Sequence, residues 1–265
     1  MSPIAARPAE PVAVPTRVRS IAGGDDIEAV WRNQLGGVSF RLTHAHGGER
    51  FVKWSTDGDA LAAEADRLDW ASSRAAVPTV LDHGNDATGA WLVTRGIPAL
   101  SAVEPRWLAD PTAAVRAIGH GLRRLHDSLP VDDCPFEWSV ERRLAAADRR
   151  IAAGMTSAEW FPEHTLLGVR EARDLLDDAP DVDLAVVCHG DACAPNTLSG
   201  DGGEFAAHVD LGSLGVADRW AEIAVAAWST EWNYGPGLAP LLYDAYGVEP
   251  DPVRIAYYRL LWDLS

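Results

Sequence analysis

The sequence predicts an α+β fold of two lobes, a small β-rich N-terminal lobe followed by a larger helical one. Three observations predict it. Short alternating segments crowd the first third of the chain, with one helical pattern among them. After Gly96-Ile97-Pro98 the pattern changes to long runs of helical periodicity. The 265 residues suffice for a sizeable core, and a composition of 47% hydrophobic and 23% charged residues is ordinary for a globular protein.

The elements follow in order. Residues 1–20 read as a flexible N-terminal tail. Their start is rich in Ala and Pro and lacks the continuous apolar core of a targeting signal. Residues 21–95 form the N-lobe. Within it 38–42 alternates as a strand, His46-Gly47-Gly48-Glu49 supplies a turn, and 50–54 returns as the partner strand. Gly36-Gly37 lies in the turn entering the first of these strands, where glycine lets backbone approach a phosphate. Residues 59–73 read as a helix with Leu61, Ala65, Leu68 and Ser72 on one face. Strands at 79–81 and 90–94 flank the turn-rich His83-Gly84-Asn85-Asp86. Residues 96–265 form the C-lobe. Helices are expected at 111–126, 140–153, 169–176, 220–232, 238–246 and 252–264, interrupted by short strands at 184–187, 196–198 and 204–210. The junction of such lobes, near residue 95, is a preferred place for a ligand.

Composition narrows the function. A formal net charge of −16 argues against nucleic-acid binding, which needs clustered cations, and favours cationic small molecules. Cys134, Cys188 and Cys193 form no CxxC pair, which fits a reducing cytoplasm. No apolar run approaches the roughly 18 residues of a membrane span. A monomer or weak dimer is expected. Of 23 basic residues only one, Lys53, is a lysine. Arg stands wherever either cation serves, so the position that kept Lys is a candidate for a compact point charge on phosphate oxygens.

The chemistry concentrates in HGDACAPN, residues 189–196, directly after the apolar strand 184–187. A hairpin turning through Ser199-Gly200-Asp201-Gly202-Gly203 would return Asp210 beside Asn196. Asn196 and Asp210 are oxygen donors of the kind that hold Mg²⁺ together with water and phosphate. Asp191 remains to orient or deprotonate a hydroxyl. Lys53 supplies a cation, with Phe51 two residues earlier on the same strand face. Glu64 shares the apolar helix face of Leu61 and Leu68, where an unpaired carboxylate is costly, and Lys53 is the partner expected for it.

Together these features resemble the aminoglycoside phosphotransferases, most closely the 3′-type group, which share a protein-kinase-like fold. The resemblance spans roughly residues 28–265. It rests on Lys53, Glu64, HGDACAPN, DLGSLGVADRW from Asp210, Trp91-Leu92-Val93-Thr94, Asp133-Cys134-Pro135-Phe136 and Tyr257-Tyr258-Arg259-Leu260-Leu261. It implies that Asp191 acts on the acceptor hydroxyl and that Asn196 and Asp210 bind Mg²⁺. It further implies that Lys53, paired with Glu64, grips the phosphates of ATP, with GTP the alternative donor. Phe51 would stack on adenine, and the backbone from Thr94 to Gly96 would hydrogen-bond to it.

The sequence also departs from that family. Leu35 replaces a serine of the nucleotide loop, and Ser213 replaces a common arginine. The chain closes on Leu261-Trp262-Asp263-Leu264-Ser265, where the resistance enzymes carry an acidic pair followed by aromatics. Trp228 and Trp232 are neighbours on one helix face. With Glu231, Trp262 and Asp263 they are the acceptor candidates, suited to a cationic or amino-sugar-like acceptor smaller or less polycationic than the antibiotic drugs. A metabolic sugar or amino-alcohol kinase is the alternative. A protein kinase is disfavoured, since only seven residues separate Asp210 from Asp218 and leave no room for an activation loop. A non-catalytic nucleotide binder conflicts with the intact Lys53, Asp191, Asn196 and Asp210. A metal hydrolase built on His189 and Asp191 would need more ligands nearby.

Overall fold

The computed structural model of the protein describes residues 5, 6, 8, 10–33 and 36–265. The chain divides into two units, Met1–Ser73 with Val77–Pro98, and Arg74–Ala76 with Ala99–Ser265. The division falls three residues beyond the boundary that the sequence suggests.

The first unit is a six-stranded antiparallel sheet of β1 (Ala5–Ala6), β2 (Asp26–Asn33), β3 (Val38–Thr43), β4 (Glu49–Ser55), β5 (Val80–Asp86) and β6 (Gly89–Arg95), in the order β1-β2-β3-β4-β6-β5. Its helices are α1 (Thr16–Ala22) and α2 (Gly58–Ala71). The two-residue period assigns the faces. Val38 opposes Trp54 and Phe40 opposes Val52, giving one apolar face. Phe51 opposes Thr94 and Lys53 opposes Leu92 on the other. Helix α2 packs on this second face with Leu61, Glu64, Ala65 and Leu68 buried, and Asp57 caps it by accepting from the Ala60 amide at 3.3 Å.

Two expectations are corrected here. The stretch 1–20 is no flexible tail in its second half. Val12, Val14 and Val18, continued by Ile21 and Ala22, lie against Phe40, Leu42 and Val52 and supply the layer that covers the first sheet face. Nor is His83-Gly84-Asn85-Asp86 a turn. It belongs to β5, an edge strand whose unpaired side tolerates polar residues. The chain turns instead at Ala87-Thr88, where the Asp86 carboxylate accepts from the Thr88 amide at 2.8 Å and its hydroxyl at 2.6 Å.

The second unit is mainly helical. It comprises β7 (Leu100–Ser101), α3 (Pro105–Leu108), α4 (Pro111–Ser128), α5 (Val140–Ala152), a 3-10 turn (Ser157–Glu159), α6 (Val169–Leu175) and β8 (Ala185–Cys188). A second 3-10 turn (Ala194–Asn196), β9 (Thr197–Ser199), β10 (Phe205–His208), β11 (Gly215–Asp218), α7 (Trp220–Tyr234), α8 (Ala239–Tyr246) and α9 (Pro252–Leu264) follow. Helix α4 buries Ala114, Val115, Ile118, Leu122 and Leu125, as their spacing predicts. Helix α7 is buried without interruption from Trp220 to Thr230 and forms the centre of this unit's core. A helix apolar on all sides belongs in such a place. Strand β11, absent from the sequence reading, pairs antiparallel with β8, Val216 opposite Val187. Among the described residues no helix is long and apolar enough to cross a membrane.

Candidate active site

The loop after β8 is pinned at His189, Gly190, Asp191 and Ala194. Gly190 adopts φ 88°, and a Cβ there would lie 2.2 Å from the Ser213 carbonyl oxygen, so only glycine fits. The His189 and Gly190 amides donate to the Glu222 carboxylate at 3.0 and 2.9 Å. The same carboxylate meets His126 Nε2 at 2.7 Å, and His126 Nδ1 meets the Tyr246 hydroxyl at 2.8 Å. Burial pushes the Glu222 carboxyl up, but the His126 hydrogen bond and charge, with the His189 amide behind them, hold it below the usual carboxylate range. The sequence reading missed Glu222 and His126. Their signal was a Glu and a His at otherwise apolar helix positions.

His189 is itself a structural residue. Its Nε2 lies 2.9 Å from the Val209 carbonyl, and its Nδ1 accepts from the Asp191 amide at 3.2 Å. A neutral ring with the proton on Nε2 satisfies both contacts. With both nitrogens engaged, His189 offers no lone pair to a metal, which argues against the hydrolase alternative.

Replacing Gly190 by Ala is expected to lower stability by at least about 1–3 kcal/mol, the usual penalty for overpacking. Differential scanning calorimetry reads it directly. An unchanged melting temperature would show that the loop can move off Ser213.

The hairpin of β9 and β10 forms as the sequence suggests. Thr197 opposes His208, and the Val209 amide donates to the Asn196 carbonyl at 3.0 Å, which returns Asp210 to the end of the loop that carries Asp191. Asn196 Nδ2 donates to the Asp191 carbonyl at 2.9 Å, so its side-chain oxygen is the atom available to a cation. Asp210 has φ 67°, the one positive φ outside glycine among the described residues. Such a backbone costs about 1–3 kcal/mol and is retained where the surroundings force it. Asp191 Oδ1 is buried with no hydrogen-bond partner among the described residues. Burial first, then the Asp210 charge, hold the Asp191 carboxyl above the usual range. Two carboxylates set against each other beside an amide oxygen, one with an orphaned oxygen, fit a hard divalent cation such as Mg²⁺. Helix α7 supports the loop from behind, because Ser229 Oγ accepts from the Ala194 amide at 2.9 Å.

In the first unit Lys53 Nζ meets both Glu64 carboxylate oxygens at 2.7 and 2.8 Å, with Glu64 buried. The expected pair is therefore formed, on the sheet face that also carries Phe51 and Thr94. Gly36 turns at φ 85°, and the Gly37 amide donates to Asn33 Oδ1 at 2.8 Å. Leu35, the departure noted in this loop, lies outside the described residues. The Gly96 amide donates to the Glu49 carbonyl at 2.8 Å and so closes the sheet. A Cβ there would lie 2.8 Å from that same oxygen, so close packing explains the glycine.

Three of the acceptor candidates, Trp228, Trp232 and Asp263, meet Phe161 and His164 of the loop between α5 and α6. Phe161 lies flat on Trp232, centroids 4.0 Å apart at 11°, and 4.3 Å from the buried Trp228. Asp263 is buried, accepts from the Phe161 amide at 3.3 Å and meets His164 Nδ1 at 2.7 Å. Burial holds its carboxyl up, against the lowering effect of His164. Glu231 lies 3.6 Å from Arg259. Trp228 and Asp263 thus anchor the loop, whereas Trp232, Glu231 and Trp262 keep partial exposure. Phe161, His164 and Arg259 are additions to the predicted set.

With this geometry in hand, the comparisons with known proteins are specific. Residues 30–258 match the model of the phosphotransferase enzyme family. An aminoglycoside 3′-phosphotransferase of Streptomyces fradiae is 36% identical over 210 residues, covering 76% of this chain and 78% of that protein. A streptomycin 3″-kinase of Streptomyces griseus is 34% identical over 261 residues, 91% of this chain and 93% of its own. The structure of an aminoglycoside phosphotransferase from Streptomyces rimosus, in complex with ADP and streptomycin, superposes with a TM-score of 0.77 at 28% identity, covering 93% of this chain and 95% of that one. Its two-unit α+β architecture, the Lys–Glu pair and the Asp191–Asn196–Asp210 constellation, taken with these matches, mean that the chain belongs to the phosphotransferase enzyme family.

Proposed function

We propose that the protein transfers the γ-phosphate of ATP to a hydroxyl group of an aminoglycoside or amino-sugar-like acceptor. The observation that carries this reading is Asp191, whose carboxylate oxygen Oδ1 is buried and lacks a partner, on a loop fixed by Glu222, Val209 and Ser229. The names of its relatives, and the ADP and streptomycin in the Streptomyces rimosus complex, support the donor and the acceptor class.

Phosphoryl transfer demands positioning and charge stabilisation more than covalent chemistry. Lys53, oriented by both oxygens of Glu64, presents a fixed ammonium for phosphate oxygens. Phe51 and Thr94 share its sheet face and suit a base ring. Asn196 and Asp210 would hold Mg²⁺, which when bound neutralises phosphate charge. Asp191 accepts the acceptor hydroxyl's hydrogen bond, aligns its oxygen for attack and takes its proton as the new P–O bond forms and the bond from the γ-phosphorus to the bridging oxygen breaks, releasing ADP. The net charge of −16 draws cationic acceptors toward the enzyme.

A panel of aminoglycosides, amino sugars and amino alcohols, assayed by ADP release with the purified protein, tests this. Magnesium-dependent turnover of at least one aminoglycoside is expected, with phosphate found on an acceptor oxygen by ³¹P NMR. Turnover confined to simple sugars or amino alcohols would instead favour the metabolic kinase. The relatives are named for both 3′ and 3″ hydroxyls, so the same spectra assign the position.

A further inference from the structure

The N-terminal segment precedes residue 30, where the family match begins, yet it reaches the glycine turn of the first unit. Strand β1 pairs antiparallel with the end of β2, Ala5 opposite Asn33 and Ala6 opposite Arg32. On its other side Arg32 is opposite Val38 of β3, so β2 ends between two strands. Asn33 then closes the turn that carries Gly36 and Gly37. Its amide donates to the Gly37 carbonyl at 3.0 Å, its carbonyl accepts from the Gly36 amide at 3.2 Å, and its Oδ1 accepts from the Gly37 amide at 2.8 Å. The turn takes its position from Asn33, and Asn33 takes its own from the strands on either side.

Side-chain packing does little to prop the turn. A cavity of about 190 Å³ adjoins it, with Pro11, Val12 and Pro15 of the N-terminal segment on one side and Gly36, Val38 and Phe40 on the other. Backbone pairing has to supply what packing does not. Without β1 the Arg32 end of β2 would be a sheet edge with open backbone groups.

We propose that Ala5 and Ala6 are positioning residues for nucleotide binding: by pairing with Asn33 and Arg32 they order the Gly36-Gly37 turn before the nucleotide arrives. This rests on the proposed function, in which that turn faces the phosphates. A turn ordered in advance spares ATP the entropy of ordering it on binding.

The test compares the full-length parent with a chain lacking residues 1–9 and with the double variant Ala5→Pro, Ala6→Pro. The truncation leaves the valines that cover the sheet in place. Successive amides of a strand point to opposite sides, so one of the two prolines removes a donor that faces β2. Calorimetry measures Mg²⁺-ATP and adenosine binding without any acceptor, well below the lowest melting temperature. In both variants the Kd for Mg²⁺-ATP is expected to rise about five- to thirtyfold, the equivalent of ordering one residue's backbone at the moment of binding. The Kd for adenosine stays unchanged, since adenosine has no phosphate to meet the turn. The ratio of the two affinities decides, whichever variant melts earlier. An unchanged ratio, whether neither Kd moves or both rise together as a general loosening of the sheet would make them, overturns the proposal. A change in the truncation alone also overturns it, because the pairing would not be the cause. A parent that binds no Mg²⁺-ATP removes the proposed function and this inference with it. A parent that binds it, with variants of the same affinity ratio, removes the inference alone.

Discussion

Asp191→Ala is expected to lose phosphoryl transfer by about 10²–10⁴-fold, the usual contribution of a positioned acid or base, while binding nucleotide as the parent does. The reason is local. The neighbouring carboxylate, Asp210, is committed to the cation in the proposed site. The fold should not suffer. Burial and the Asp210 charge disfavour ionised Asp191, so without added Mg²⁺ the isosteric Asp191→Asn should melt no lower than the parent at neutral pH. The sign follows from the raised pKa: stability is lost as pH rises from the unfolded carboxylate value through the folded one, and the amide removes that loss. Single-turnover kinetics and calorimetry on the same preparations check both halves. Near-normal turnover in Asp191→Ala would withdraw the proton-transfer role. A collapse of melting temperature in Asp191→Asn would make the residue structural.

Lys53→Ala should reduce turnover by about 10²–10³-fold, the range seen when one preorganised electrostatic group is removed. It should also cost about 1–3 kcal/mol of stability, since it takes a partner from buried Glu64. The full cost of breaking a buried ion pair does not apply, because Lys53 is 27% exposed. Lys53→Arg should keep most of the stability and recover little of the activity. A planar guanidinium can pair with Glu64 through two donors, yet it cannot set a compact charge where the ammonium stood. Titration of Mg²⁺-ATP by calorimetry, beside steady-state rates, measures both effects. Unchanged affinity and turnover in both variants would remove Lys53 from the nucleotide site.

What the sequence made legible was whatever depends on short-range pattern. The Lys53–Glu64 pair followed from strand and helix periods together, and the return of Asp210 to Asn196 followed from a glycine-rich turn between two apolar stretches. Helix α9 was read with its observed limits because Asp251 and Pro252 mark its start. Long-range partners were not legible. Strand β11 is only four residues long and exists because β8 lies beside it. The polar residues of β5 mimic a turn, and only its place at a sheet edge makes them a strand. The valines at 12 and 14 alternate, a signal hidden by the prolines around them, and Val18 lies in the short helix α1. Among the site residues, the partner of the Gly96 amide, the Glu49 carbonyl, was out of reach of a local reading. Glu222 went unread because a carboxylate inside an apolar helix has no interpretation until the two amides it receives are known.

Helix α7 anchors the His189 and Gly190 amides through Glu222, props the loop through Ser229 and carries Trp228, Glu231 and Trp232 on the acceptor-facing side of the proposed site. Under the proposed function, substrate range and catalytic rate are therefore mutationally entangled along this one helix. A change on α7 that widens the range also tilts the catalytic loop, so selection for new acceptors on this helix meets an immediate loss of rate. The segment 156–168 and the outer surface of α9 carry no such double duty. Laboratory evolution toward a new antibiotic should thus accumulate its first substitutions there, and reach α7 only after a compensating change has steadied the loop.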